Sequence, residues 1–292
     1  MTASIDPAAW PEFRLAETDV DAAMALSAAV GWNQVAADWR LMLRLGQALG
    51  IRNRDGQLIA TALSLPFGSR FGWVSMVIVD RDHRGLGLAM RLLKACVERL
   101  EAAGLVAGLD AAPAGRPVYL KLGFSDIWGM QRFEAARTSG LAGVTPPDGI
   151  RLRPIEATDW PAILAYDLTV FGDRREALLR DLAMRLPAAA LLAEAAGKVR
   201  GYALGRPGRL AMQIGPLQAD APEIALALAG KAFAAIAGPV FIDVADRQES
   251  LQRWLAGGGF KVQRPFTRML RGRTEPFDDT ARLYAPAGPE LA

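Results

Sequence analysis

The chain has 292 residues, 51% hydrophobic and 22% charged, the balance of a soluble globular protein, and that length predicts two domains. Its net charge of +3 is spread along the chain, with no basic stripe for nucleic acid. A single cysteine, Cys96, and a single histidine, His83, exclude an intramolecular disulfide and a zinc site of the Cys/His kind, so no metal is expected and a reducing cytoplasm is.

The start of the chain, Met1-Thr2-Ala3-Ser4-Ile5-Asp6, lacks the basic region and apolar run of a signal peptide. A short strand is predicted over Phe13–Leu15, then a helix with Thr18 as N-cap and Asp19 behind it. A hairpin follows from Ala48 to Leu65, turning at Asp55-Gly56, and a further apolar strand from Trp73 to Val79. A glycine-rich turn opens a helix over about Leu86–Ala103. A buried strand (Val106–Asp110), a short helix and a strand from Phe124 come next.

After Thr138–Gly149, rich in Gly, Pro and Thr, the same order restarts: a strand over Leu152–Ile155, a helix opening at Thr158-Asp159, and a hairpin from Ala190 to Leu204 around Gly197. The most membrane-like stretch, Ile224–Ile242, carries Lys231 and a Gly238-Pro239 break, so a buried helix and a buried strand are expected rather than a membrane span. The tail beyond Arg271 reads as a docked extension or a disordered end.

Three echoes tie the halves together. Glu17-Thr18-Asp19 returns as Ala157-Thr158-Asp159, Gly56–Leu63 as Gly197–Leu204, and Gly123-Phe124 as Gly259-Phe260, each about 140 residues on. Two copies of one fold are therefore expected, at 1–137 and 151–272, with a linker at 138–150 and a tail at 273–292.

The segment Val77 to Ala89 carries the chemistry. A buried strand runs into a turn holding Gly85 and Gly87, and an amphipathic helix starts there, so several backbone N–H groups meet at a positive helix end, a candidate pyrophosphate cradle. It is not a P-loop, because Leu88-Ala89 follow Gly87 where Lys-Ser/Thr is needed. Nor is it a dinucleotide fingerprint, because Met90 stands at the third glycine position.

Arg84-x-x-Gly87-x-Ala89 resembles the Arg/Gln-x-x-Gly-x-Gly/Ala signature of the GCN5-related N-acetyltransferases, the GNAT superfamily. Tyr119-Leu120-Lys121-Leu122-Gly123-Phe124 resembles that family's Tyr-x-x-x-Gly-Phe segment. The likeness covers about residues 12–135. Gly31-Trp32-Asn33-Gln34, Asp38-Trp39 and Leu109–Gly115 are similar to a tandem subgroup whose second GNAT domain is degenerate.

The resemblance implies an α+β class: two tandem GNAT folds, each a mixed, mostly antiparallel sheet flanked by helices. It implies acetyl-CoA as co-substrate, its pantetheine arm held between splayed parallel strands by backbone groups of Met76, Val77, Ile78 and Val79. The pyrophosphate would lie on Arg84, Gly85, Leu86, Gly87, Leu88 and Ala89, with Lys121 as a further cofactor contact. Tyr119 would be the general acid for the leaving thiolate, its phenol pKa near ~10 suiting that task. The N–H of Val77 would serve the oxyanion.

Departures matter too. Ala112 stands where many members place an Asn, and Trp73-Val74-Ser75-Met76 lacks their catalytic Glu. Asp110 then remains as a candidate base, an anchor for a cationic substrate, or a loop cap before Pro113. His83 reads as a solvated residue of the charged turn. Trp32, Trp39 and Trp128 are candidates to line the acceptor pocket, or core aromatics. In the second copy the cradle position is expected at Met212–Ala219, where Pro216 removes an amide, and Leu255 replaces the tyrosine.

The resulting expectation is an acetyl-CoA-dependent N-acetyltransferase of small amines, monomer or homodimer, free of nucleic acid and membrane. A protein acetyltransferase and a non-catalytic acetyl-CoA sensor are the alternatives.

Overall fold

The structure is a computed structural model that describes residues 10–292, in two compact units divided between Ala107 and Gly108. In the first unit, β1 (Glu12–Arg14), β2 (Gln47–Arg52), β3 (Leu58–Phe67) and β4 (Phe71–Val79) form an antiparallel meander in that order. The helices are α1 (Val20–Ala29), α2 (Ala36–Leu45) and α3 (Leu88–Ala102). α3 lays Leu88, Leu92, Cys96 and Leu100 on one stripe, four residues apart, and packs it against β3 and β4. β3 is buried on both faces for most of its length, which is why Leu58–Leu65 reads as a run with only Thr61 and Ser64 polar rather than as an alternation.

One sequence expectation is corrected at the helix start. Thr18 does not cap α1; a 3-10 turn, Glu17–Asp19, is interposed, and Asp19 reaches back to accept from the N–H of Ala16 at 2.8 Å. Asp159 does the same for Glu156 at 2.7 Å ahead of α5 (Trp160–Phe171). The aspartate beside each threonine is therefore the repeated structural device.

The second unit takes up β5 (Val106–Ala111) from Gly108 onward, then α4 (Arg116–Lys121), β6 (Phe124–Ala135) and β7 (Arg151–Pro154). After α5 come α6 (Glu176–Arg185), β8 (Leu191–Ala195), β9 (Lys198–Arg206), β10 (Met212–Ala219), α7 (Pro222–Ala234) and β11 (Val240–Ala245). Last are α8 (Glu249–Gly257), β12 (Lys261–Arg271) and β13 (Leu283–Ala285). The stretch Ile224–Ile242 is thus a helix, a break and a strand, and no helix among the described residues is long and apolar enough to cross a membrane.

Strand order in this unit is β5-β12-β6-β11-β10-β9-β8-β7, with β13 beside β10. In element order β6 follows β5 as β12 follows β11, yet β12 pairs β5 and β6 pairs β11. The last long strands of the two copies are exchanged, and they pair with each other along most of their length. The tail is docked rather than disordered: Leu283, Tyr284, Ala285, Ala287 and Leu291 are all buried.

Candidate active site

The strand β4 is interrupted where the chemistry is expected. Thr61 pairs with Ile78 and Leu63 with Ser75, so Met76 and Val77 together oppose Ala62, a β-bulge. Met76 sits at φ 51°, a conformation rare for a residue with a side chain, and its carbonyl accepts from the buried Thr61 hydroxyl at 2.8 Å. Met76 and Ile78 point into the core, whereas Val77 and Val79 stay partly exposed. Sequence reading missed Thr61; its signal was a polar residue in an otherwise apolar strand stretch, Leu58–Leu63.

Beyond Val79, the N–H of Asp80 donates to the Ile59 carbonyl at 2.8 Å, holding the loop root on β3. The Asp80 carboxylate accepts from the Asp82 N–H at 3.2 Å and from His83 Nδ1 at 2.8 Å. The His83 bond is the main reason that the Asp80 carboxyl lies below its ordinary value. His83 is not the solvated residue expected: its side chain is 19% exposed and its ring meets Trp10 edge-on at 5.7 Å. Arg84 Nε donates back to the Val79 carbonyl at 3.4 Å.

Gly85 and Gly87 follow at φ 79° and 77°, and a Cβ on either would project into open space, so backbone conformation rather than crowding selects glycine. The first helical bond of α3 runs from the Arg91 N–H to the Gly87 carbonyl. The amides of Leu88, Ala89 and Met90 therefore have no acceptor inside the helix. An open backbone surface at the N-terminus of a 15-residue helix suits a pyrophosphate group.

In the second unit, Tyr119 lies on α4, its ring 6.1 Å from Phe124. The ring packs over Gly115, where a Cβ would stand 2.9 Å from Cε2, so that glycine lets the phenol lie flat against its own helix start. Burial pushes the Tyr119 phenol above its ordinary value. Lys121, the last residue of α4, is exposed.

Asp110 has a fully buried side chain, and both its oxygens accept from Arg268 of β12 at 2.9 Å. Burial pushes its carboxyl up to about 6, against the opposing pull of the Arg268 charge. Arg268 also donates to Asp278 at 2.7 Å and lies over the Trp128 ring at 4.4 Å, while Trp128 Nε1 donates to Asp278 at 3.1 Å. The exchange supplies a matching pair: Arg132 of β6 donates twice to Asp243 of β11, both at 2.8 Å. Arg132 and Arg268 are spaced like the two Gly-Phe echoes, a repeat signal that sequence reading left unused.

Of the other aromatics, Trp32 is half-buried between α1 and α2. Trp39 is wholly buried, its Nε1 donating to Ser27 Oγ at 3.2 Å. In the second copy, Met212–Ala219 is not a cradle position at all but the strand β10, and only Asp220-Ala221 separate it from α7, which opens with Pro222. Leu255 is a core residue of α8.

Comparison with known proteins agrees with this layout. Residues 20–124 match the acetyltransferase (GNAT) family and residues 163–285 match an acetyltransferase (GNAT) domain. A Bacillus subtilis protein described as the uncharacterized N-acetyltransferase YitH is 25% identical over 248 residues, 85% of this chain and 86% of that protein. A putative acetyltransferase from Pyrococcus horikoshii shares the fold at a TM-score of 0.79 with 17% identity, covering 100% of this chain and 99% of that one. A tandem GNAT protein from the clavulanic acid biosynthesis pathway shares it at 0.61 with 17% identity, over 89% of this chain and 98% of that one.

Proposed function

We propose, from the premise that the chain belongs to the GNAT family of N-acetyltransferases with two such domains in tandem, that its first copy transfers acetyl from acetyl-CoA to the amine of a small molecule. The observation that carries the reading is the bulge at Met76 leading into the Gly85/Gly87 cradle, both in the first copy. The amides from Arg84 to Ala89 take the pyrophosphate, and backbone groups of Met76 to Val79 take the pantetheine amides.

The amine attacks the thioester carbon directly. The Val77 N–H donates to the oxyanion, as the C–S bond breaks Tyr119 gives its proton to the thiolate, and the proton shed by the amine nitrogen passes to solvent, from which Tyr119 is reprotonated. A phenol raised by burial remains protonated at neutral pH, as a general acid must. Lys121 is kept as a further cofactor contact and Trp32 and Trp128 as candidates for acceptor contacts, since Trp39 has its surface committed to the core.

Asp110 is assigned to holding β5 on β12 rather than to accepting a proton, because both its oxygens already accept from Arg268. Its counterpart Asp243 makes the same bidentate pair in the copy without a cradle. The copies are taken as 1–137 and 151–272, and the chain as cytoplasmic.

The test is an amine-library screen with free-thiol detection, run with Tyr119→Phe. Turnover of one amine class by the wild type, reduced about 100-fold or more in the variant at unchanged acetyl-CoA affinity, is expected. Unchanged turnover removes Tyr119 from the mechanism, and thiol release with protein amines alone replaces the small-molecule acceptor.

A further inference from the structure

β10 and β11 are parallel partners only from Met212 to Ile214 and Val240 to Ile242; further along, β10 pairs instead with β13. The register of β10 on β9 shifts across Gly215-Pro216, and a Cβ on Gly215 would stand 2.0 Å from the Pro286 carbonyl oxygen, so tail and strand are in close apposition there. Backbone groups of a strand leaving its partner must find others. Leu217 and Gln218 find them on the tail, and the Ala219 N–H donates to the Arg282 carbonyl at 3.0 Å.

The groove also carries side chains arranged as a receptor. Gln248 Nε2 shares its two N–H groups among three tail carbonyls, those of Thr280, Ala281 and Leu283, at 2.9, 3.2 and 3.1 Å. Arg206 is ion-paired with Glu290. Arg175 donates to the Ala292 carbonyl at 3.1 Å and is itself held by Asp167, at 2.8 and 3.1 Å. Tyr202 and Gln218 bond Asp167 from β9 and β10 at 2.6 and 2.8 Å. Ala285 and Ala287 are fully buried.

We propose that Thr280–Ala292 is a built-in ligand of the second copy, an extended peptide seated by strand addition in the opening between β10 and β11. On the acyl-CoA reading above, on which this part rests, that opening is where a donor's pantetheine would lie in this copy. The tail therefore leaves the chain a single donor site, and the opening is a binding site for extended, amide-bearing ligands.

The test nicks the folded full-length chain at a protease site placed in the exposed turn at Thr274-Glu275. The nicked tail is expected to co-migrate with the body on gel filtration and to exchange for a labelled Thr280–Ala292 peptide. A peptide carrying Glu290→Gln should bind at least tenfold more weakly, and pantetheine should speed release of the labelled peptide. A tail that leaves on nicking and is not taken up again overturns the peptide site; release indifferent to pantetheine overturns the donor-slot assignment.

In the intact chain, Gln248→Ala should raise amide exchange across Leu283–Ala287 more than across β9, and equal exchange counts against the clamp. Coenzyme A titrated into the wild type should bind one equivalent. Two equivalents overturn the blocked slot, whereas none removes the proposed function and leaves the peptide result standing.

Discussion

Eight residues, Asp80 to Gly87, join β4 to α3 in the first copy, while two, Asp220 and Ala221, join β10 to α7 in the second. The longer junction carries a 3-10 turn, a pinned histidine and two glycines at positive φ, and leaves helix amides facing outward. The shorter one has no glycine, and its helix starts with a proline that has no amide to offer. Anion binding at a helix end needs room for the chain to turn its N–H groups outward, and the second copy has lost that room. Its sheet opening holds the chain's own tail instead.

The arginine pairs test how alike the copies are where the junctions play no part. Removing one partner of a buried ion pair costs about 3–5 kcal/mol, so Arg132→Met and Arg268→Met should each lower urea-denaturation stability by that order. Similar losses sustain the equivalence of the exchanged strands. A loss at only one of them breaks it, and adding Asp110→Leu to Arg268→Met should recover much of the second.

Thr61→Val removes the donor to the bulge carbonyl and should cost about 1–3 kcal/mol in the same assay. It should also weaken coenzyme A binding, because the Thr61 hydroxyl holds the Met76 carbonyl in the first copy's proposed site. Its repeat counterpart, Tyr202, serves Asp167 and the tail groove, so Tyr202→Phe should leave coenzyme A binding within about twofold. Equal effects on binding from the two would contradict the division of labour.

At the junctions themselves, Gly87→Val forces a branched side chain into a left-handed residue and should weaken coenzyme A at least tenfold, about 1.4 kcal/mol, by calorimetry. Ala221→Val should be silent in that titration. The smallest effect concerns Asp80, whose native carboxyl lies below the ordinary 3.8. Stability from its bond with His83 is present above pH 3.8 and is lost as pH falls through the lower native value. Asp80→Asn should flatten the acid side of a stability–pH curve by a few tenths of a kcal/mol.

Much of the fold was legible because it is periodic. The apolar run Leu58–Leu65, the stripe Leu88-Leu92-Cys96-Leu100 and the Gly-bearing hairpin turns announced β3, α3 and both hairpins within a residue or two. The cradle was legible because positive φ demands glycine at specific places. Strand exchange was not, since β6 and β12 have the same pattern whichever neighbour they pair with. Nor was the state of Asp110, because its partner lies 158 residues away. The interposed 3-10 turn also escaped, as Thr and Asp at neighbouring positions both cap helices and only geometry chooses between them.

The exchanged strands have a consequence for how the protein is made. β12 completes the pairing of β5 and of β6, and its last residue is Arg271. A ribosome that has delivered the first 137 residues has delivered β5 and β6 without their partner strands; Asp110 and both edges of β6 must wait for the other half of the message. Sheet closure across so long a separation is slow and leaves apolar strands unpaired meanwhile. A cut between residues 137 and 151 would therefore leave β5 and β6 without their partners β12 and β11.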